Sequence, residues 1–416
     1  MKFNSLQVFL LLFLIAQPAL GQIFPGHKIE NAKNRDNPVV RWTADQDEMN
    51  FRYNFLENTE TFTLYTATPE TGTFSHHSHI TYFNGVFYAC WDNHVRDENG
   101  SGQRGLLRRS RDQCKTWTLV EELFPSLDEK VPASEAYIHT RFQTSNGFAV
   151  VDSMLYALTD VAEWTGPSIR HRRRISLIRL CRFINPDGTL GKIFRLRSDP
   201  PDPVEGFHGY PAGEPVLVEK INKYLSLPNN ELQLNFTVSH PVSDDNHRLS
   251  EPTSAWKLGD GTWVKLYRDG GIKNASSLKE IEESKSRRNY ASFSFDVGKS
   301  WTTPTRTNFP DAYARTNAGI FPNGQIYVIN NVLPLSTKKG GRILLAISLS
   351  KDGLIFDRVA VIRFLSPPKR YEGRAKAVGY QYPHSVVVGN NLWVIYSVNK
   401  EDIQLTRIPL AELVKL

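Results

Sequence analysis

Residues 76–94 read HHSHITYFNGVFYACWDNH and hold His76, His77, His79 and His94, four of the chain's 11 histidines. Imidazole is the side chain whose ordinary pKa lets it take or give a proton near neutrality. On an extended chain His77 and His79 project to one face, and His76 and Ser78 to the other. The Asn84-Gly85 turn then folds the next run back, so that His94 returns toward the same rim. This spacing predicts that two of these imidazoles come together and serve as base and acid. Zinc is the other chemistry that clustered histidines offer. The stretch lacks a third ligand of the usual kinds, so no metal ligand is assigned.

A repeated unit must hold these residues. It is a short alternating strand, a turn with Asn, Asp or Gly, then a strand carrying an aromatic residue. It recurs as ITYFNGVFYACW (80–91), FAVVDSMLYAL (148–158), PVLVEKINKYLSL (215–227), AWKLGDGTWVKLY (255–267), GIFPNGQIYVIN (319–330) and SVVVGNNLWVIYS (385–397). The anchors Tyr88, Tyr156, Tyr224, Trp263, Tyr327 and Trp393 lie 64 to 68 residues apart, except for one gap of 39. Two units end in SRDQCKTW (110–117) and SFDVGKSW (294–301), and a third in the worn SKDGLIF (350–356). These resemble the S-x-D-x-G-x-T-W "Asp box" of sialidase-like propellers, in which the Asp caps backbone N–H groups and the Trp packs between sheets. Cys114 stands where that box expects glycine. The resemblance implies an all-β propeller; six units are counted directly, and FRYNFLENTETFTLYTATPE (51–70) is expected to supply a seventh blade, six being the alternative. Helical periodicity is confined to NASSLKEIEESKSRR (274–288), read as a surface insertion.

A propeller binds ligands at the mouth of its central channel, where each innermost strand begins. Arg141, in IHTRFQTSNGF, stands just before such a strand and is expected to clamp a carboxylate, because a guanidinium binds it bidentately and stays charged. His208 and Tyr210 in FHGYPAGEP, Arg268 in LYRDG, and Lys376, Tyr382 and His384 in the last unit stand at similar edges and are candidates for touching substrate. Asp269 is expected to pair with Arg268.

Composition bounds the class of protein. The chain has 416 residues, 40% of them apolar, enough to bury a large core. Its first 21 residues, MKFNSLQVFLLLFLIAQPALG, follow the layout of a cleaved signal peptide, which leaves 22–416 as one propeller domain that is secreted or periplasmic. Nothing further along approaches the length of a membrane span. Cys90, Cys114 and Cys181 are too few for a disulfide framework, so one bridge plus a thiol, or three buried thiols, is expected. Asn99, Asn235 and Asn274 head N-x-[ST] triplets that a eukaryotic host would glycosylate. The net charge of +7 without a dense Lys/Arg stripe other than RHRRR (170–174) points to an acidic polysaccharide rather than nucleic acid. The chain is expected to work as a monomer. Its chemistry requires no cofactor, although inward carbonyls and carboxylates suit a structural Ca²⁺ in the central channel.

The run from His76 to Asp112, followed by an Asp box, resembles the secreted propellers that remove L-rhamnose α-1,4-linked to D-glucuronate in arabinogalactan side chains such as those of gum arabic. NFPDAYARTNAGIFPNGQIYVINN (308–331), YEGRAKAVGYQYPHS (371–385) and YSVNKEDI (396–403) extend the resemblance over nearly the whole mature chain. It implies a seven-bladed propeller and two competing chemistries. In the lyase branch a base takes the C5 proton of the uronate and the C4–O bond breaks by β-elimination; the resemblance carries the branch's His pair onto His77 and His94, with His79 in reserve, supported by Arg and Tyr. The hydrolase branch uses one His on the opposite face, and in RWTADQDEMNFRYNF (41–55) Gln46 stands where that base belongs, beside Asp45, Asp47 and Glu48. The lyase is therefore the expected activity, with the α-L-rhamnosidase or an ulvan-type lyase as alternatives. A true sialidase would need an arginine triad, a Tyr/Glu nucleophile pair and an N-terminal R-I-P, whereas the only R-I-P here is Arg407-Ile408-Pro409. A glycan-binding propeller without turnover would keep Trp91, Tyr210 and Arg141 and have no need of His77 or His94.

Overall fold

Alternating apolar residues and tight turns produce five sheets of four or five strands among the described residues, which are 39–43, 53–127, 141–165, 173–196, 210–230, 241–336 and 340–416 of a computed structural model. We number these sheets as blades in chain order. Blade 1 runs through Phe74–Phe83, Val86–His94, Arg104–Ser110 and Glu121–Phe124. Blade 2 comprises Arg141–Val151, Met154–Thr165, Arg173–Ile184 and Leu190–Arg195. Blade 3 is built on His247–Ser250, Trp263–Ile272, Arg288–Ser294 and Thr305–Pro310, with Trp256–Lys257 paired to its second strand. Blade 4 contains Asn317–Ile320, Ile326–Asn330, Leu344–Ser350 and Arg358–Phe364. Blade 5 contains Tyr380–Val388, Asn391–Val398 and Asp402–Pro409. In each blade consecutive strands pair antiparallel, as a two-residue turn requires.

Among the described residues five blades are seen, where seven, or six, were expected. Two expected units went elsewhere. The N-terminal stretch builds no blade of its own: Glu60–Tyr65 becomes the outer strand of blade 5, antiparallel to Asp402–Pro409, and Asn54–Phe55 extends the edge of blade 4. PVLVEKINKYLSL is a helix over Pro215–Leu225, not a strand pair. The reason is local. Glu214 caps the N-terminus by accepting from the Val216 and Leu217 N–H groups, and Pro215 occupies the first turn, where its missing N–H costs nothing. Val218 and Ile221, at helical spacing, then pack on Tyr156 and Leu158 of blade 2. The second helix, Leu278–Ser284, lies where the sequence pattern put it, capped by Ser277 and with no buried residue.

The core lies between blades. Trp91, Leu64, Trp393 and Leu405 share one cluster that joins blade 5 to blade 1, and Leu64 belongs to the N-terminal strand. Leu64→Ala should therefore lower the unfolding free energy by about 2–5 kcal/mol in urea titrations, because it opens a cavity at the ring's closure. An unchanged midpoint would mean the strand contributes nothing to closing the ring.

The Asp boxes repeat atom for atom. In the first, Cys114 N donates to Ser110 Oγ at 2.9 Å, Thr116 N to Asp112 Oδ1 at 2.9 Å, and Trp117 Nε1 to the Cys114 carbonyl at 3.1 Å. The second has Gly298 N to Ser294 Oγ at 2.8 Å, Ser300 N to Asp296 Oδ1 at 2.9 Å, and Trp301 Nε1 to the Gly298 carbonyl at 3.1 Å. Cys114 adopts the same left-handed backbone as Gly298, φ 66° against 80°. The substitution leaves the turn intact because the box's side-chain bonds hold it. All three cysteines are free and buried, the second of the two expected arrangements. Among the described residues no helix is long and apolar enough to cross a membrane.

Candidate functional site

A shared irregularity positions the site. The innermost strands of blades 1, 2 and 5 each carry a bulge, between His76 and His79, Ser145 and Phe148, and Gln381 and His384. A bulge bends its strand and re-aims a side chain. One residue in each takes a left-handed backbone: His77 (φ 48°), Gly147 (φ 83°) and Tyr382 (φ 54°). Glu251 (φ 50°), just past the first strand of blade 3, and Tyr313 (φ 57°), just before the first strand of blade 4, do the same. Four of these five are side chains able to do chemistry in a conformation that disfavours non-glycine residues, a combination that clusters at functional sites. Gly147 is the exception for a visible reason, since a Cβ there would meet His79 Cδ2 at 2.9 Å.

Tyr382 is the centre. Its hydroxyl donates to Glu251 Oε1 at 2.8 Å and accepts from Arg268, which also pairs with Glu251 Oε2 at 2.5 Å. The guanidinium carbons of Arg315, Arg342 and Arg268 lie 5.2, 5.7 and 5.9 Å from its ring centroid, and Lys400 Nζ lies at 6.0 Å. Burial pushes the phenol's pKa up, opposed by Arg268, so it stays protonated. Glu251 is also penalised by burial, but Arg268 outweighs that and holds its carboxyl below the usual range. A neutral phenol thus donates to an ionised carboxylate.

The cations around it differ in duty. Arg315 is fully buried and donates to the Tyr382 and Ser78 carbonyls at 3.2 and 3.4 Å, tying the bulges of blades 5 and 1 together. Arg342 donates to Gln381 Oε1 at 2.6 Å and to the Tyr313 carbonyl. Arg268 stacks on the Tyr313 ring, 3.7 Å from its centroid, and Lys285 Nζ is 3.3 Å from the same centroid. Burial lowers the Arg315 pKa to about 10 and lowers those of Arg342 and Lys400. Glu251, Glu98, which is ion-paired with Lys400, and the buried Asp311 supply fewer negative charges than Arg268, Arg315, Arg342 and Lys400 need. An under-neutralised buried cluster favours an anionic ligand.

His77 faces Tyr382, with ring centroids 5.2 Å apart. Its Nδ1 is 2.6 Å from Asp92 Oδ2, and its Nε2 is 3.6 Å from Glu98 Oε1. Asp92 fixes the ring's tautomer, as the carboxylate of a catalytic dyad does. Behind it His76 bonds Ser397 Oγ at 2.7 Å and is kept neutral, chiefly by burial and then by Lys400. His79 donates Nδ1 to the His77 carbonyl at 3.0 Å, stacks 4.9 Å from His384, and is likewise kept neutral by burial and Arg315. His384 Nδ1 accepts from Ile80 N at 3.3 Å.

The structure does not bring His94 to His77. Its Nε2 donates to the Ser101 carbonyl at 3.0 Å and its Nδ1 accepts from Asp97 N at 3.0 Å, which exhausts a neutral imidazole inside its own loop. Arg141 pairs with Glu163 at 3.1 Å on the rim of blade 2. Tyr210 is half-buried against the core between blades 1 and 2. Lys376 donates to the Thr73 carbonyl at 2.7 Å and lies 3.7 Å from Glu401, with its pKa lowered by burial to about 8. Asp269 pairs with His247 at 2.8 Å rather than with Arg268, whose partner is Glu251. His208 and the segment around Gln46 lie outside the described residues.

Glu251, Tyr313, Arg315, Arg342, Lys400, Asp92 and Glu98 escaped the reading of the sequence. Weighting polar residues just before an innermost strand would have reached Tyr313 and Arg315, which precede Asn317–Ile320. Arg342 precedes the third strand of its blade and Glu251 follows a first strand, so no positional signal marked either. Among the described residues no group of three or more His, Cys, Asp or Glu side chains is placed to hold a metal ion.

Asp311 gives the cluster a pH signature. Its Oδ2 has no partner, and burial raises its pKa from 3.8 to about 7 against the pull of Arg268. A raised folded-state pKa means stability that is present below the unfolded value and lost as pH rises through the folded one. The melting temperature should fall between about pH 4 and 7 more steeply in the parent than in Asp311→Asn, as scanning calorimetry across that window would record; parallel curves would show Asp311 ionised throughout.

A model of the BNR repeat-like domain family matches residues 254–394. No curated protein matches the chain. Among solved structures, one described as a sialidase is 21% identical, with TM-score 0.64, over 89% of this chain and 35% of its own. The Trypanosoma rangeli sialidase in complex with 2,3-difluorosialic acid, a covalent intermediate, is 12% identical, with TM-score 0.50, over 88% of this chain and 60% of its own. The chain therefore spans about a third of the length of the first of these and less than two thirds of the second. What the likeness establishes is the architecture, an all-β propeller of the sialidase-like kind carrying BNR repeats.

Proposed function

We propose that this protein is a retaining glycoside hydrolase that releases a carboxylate-bearing terminal sugar from a glycan, with Tyr382 as nucleophile. One observation carries the reading: the Tyr382 phenol donates to Glu251 at 2.8 Å inside a shell of four cations. Glu251 accepts the phenolic proton as the oxygen attacks the anomeric carbon, and His77, held by Asp92, protonates the departing oxygen. The same imidazole then takes a proton from the water that cleaves the glycosyl-tyrosine bond, and Glu251 returns the proton to the phenol. A neutral nucleophile suits an anionic sugar, because a carboxylate in its place would repel the substrate. Arg268 and Arg342 offer the substrate carboxylate its counter-charge. The T. rangeli structure, described as a covalent intermediate with 2,3-difluorosialic acid, is a likeness of shape at 12% identity. The leader read in residues 1–21 would put the enzyme outside the cytoplasm, with its acidic polysaccharide substrate.

A second reading keeps the same pocket. The His77–Asp92 dyad, beside a cationic shell, also suits abstraction of a proton next to a neutralised carboxylate, hence β-elimination of L-rhamnose from D-glucuronate. Incubation with gum arabic and with a sialylated oligosaccharide separates them. Free acidic sugar without near-UV absorbance supports the hydrolase. Rhamnose with the absorbance of an unsaturated uronate replaces it with the lyase, and binding without either product leaves a lectin-like propeller.

A further inference from the structure

We propose that the far end of blades 1 and 5 carries a saccharide-binding site, separate from the central cluster, that takes a pyranose residue of a polysaccharide chain. A cleft of about 380 Å³ opens there between the two hairpin turns, within the size range of small-ligand pockets. It lies at the other end of the strands that bear His77 and Tyr382. Tyr82 is five residues beyond the first and Asn390 eight beyond the second, which at ~3.3 Å per residue separates the sites by roughly 15–25 Å.

The lining has the makeup of a sugar platform. Tyr82 is 41% exposed, and its ring lies 4.8 Å from that of Phe87, which lies 4.9 Å from that of Trp393, so a partly open ring rests on a rigid aromatic floor. An exposed tyrosine face offers stacking to the C–H side of a pyranose. Arg111, Gln113 and Asn390 surround it, all exposed, and among the described residues none of their side chains is engaged in a hydrogen bond or ion pair. Trp393, 1% exposed, closes the base of the cleft beneath Phe87. Open space lies beside both turns: a Cβ on Gly85 or Gly389 would meet nothing within 4 Å. Arg111 and Gln113 belong to the first Asp box, so the box that departs from glycine at Cys114 is the one facing this cleft. One cation among amides favours a neutral or sparsely acidic chain segment over the densely anionic group that the central cluster demands.

The test is native affinity electrophoresis of the full chain through gels containing gum arabic, with turnover of a small soluble glycoside measured in parallel. The parent and Tyr382→Phe should be retarded equally. Tyr82→Ala should bind the polysaccharide about tenfold more weakly while its small-substrate turnover and melting temperature stay at the parent values, and the Gln113→Ala, Asn390→Ala double variant should show a smaller loss of the same kind. Retardation that survives Tyr82→Ala, disappears in Tyr382→Phe, or is absent in the parent overturns the site. Because binding and turnover are read separately, failure here leaves the assignment of Tyr382 standing, and failure of that assignment leaves this site standing.

Discussion

Tyr382→Phe is expected to lower turnover by about three orders of magnitude or more, with the fold unchanged. The substitution removes one oxygen and keeps the ring, so packing against His76 and His77 at 4.2 and 5.2 Å persists. Arg268 and Glu251 still have each other at 2.5 Å, so no buried charge is orphaned. Loss of activity would then report the missing nucleophile rather than a collapsed pocket. Glu251→Gln should lose about as much, and the double variant little more, because the two groups act as a unit. The direct check is a mechanism-based fluorinated glycoside followed by peptide mass spectrometry, with the adduct expected on the tryptic peptide containing Tyr382. Retention of more than about a tenth of the parent kcat by Tyr382→Phe would end the nucleophile assignment.

His77→Ala is expected to cost about 10²–10⁴ in kcat on a natural glycan, the usual range for a lost acid/base group. The discriminating readout is the leaving group. For a hydrolase, a glycoside of an acidic phenol needs no protonation to depart, so the variant should recover most of the first step on that substrate and accumulate the glycosyl-enzyme. For a lyase, His77 is the base and the leaving group's acidity rescues nothing. Equal losses on both kinds of substrate, with unsaturated uronate formed by the parent, would transfer the pocket to β-elimination. His94→Ala supplies the contrast. Its ring serves its own loop through Ser101 and Asp97, so the variant should lose stability more than rate.

The propeller was legible because its signals are local. Asn84-Gly85 and Asp152-Ser153 both take positive φ at the hairpin turns where the alternation placed them, and both full Asp boxes close with the same bonds. The count of blades was not, because period alone does not tell an amphipathic helix from a strand pair. Pro215 and the capping Glu214 decided Pro215–Leu225. Nor does local pattern reveal that residues 60–65 would pair across the chain with 402–409. In the site, His77, Arg268 and Tyr382 were reachable from their place at blade edges. Glu251 and Arg342 were not, since their roles come from three blades converging on one axis. His94 shows the converse. Its spacing from His77 was as read, yet a carbonyl and two N–H groups nearby claimed both ring nitrogens.

The pairing of Glu60–Tyr65 with Asp402–Pro409 also sets a clock. More than 300 residues must leave the ribosome between the two strands, which at ~5–20 residues per second means roughly 20–70 s during which the early strand has no partner. Until then its neighbours expose an unpaired edge and the apolar faces around Leu64. The later-made of the two strands therefore acts as a latch, and translation pauses or chaperones that shield the waiting segment should govern the yield of active protein more than any change within a finished blade.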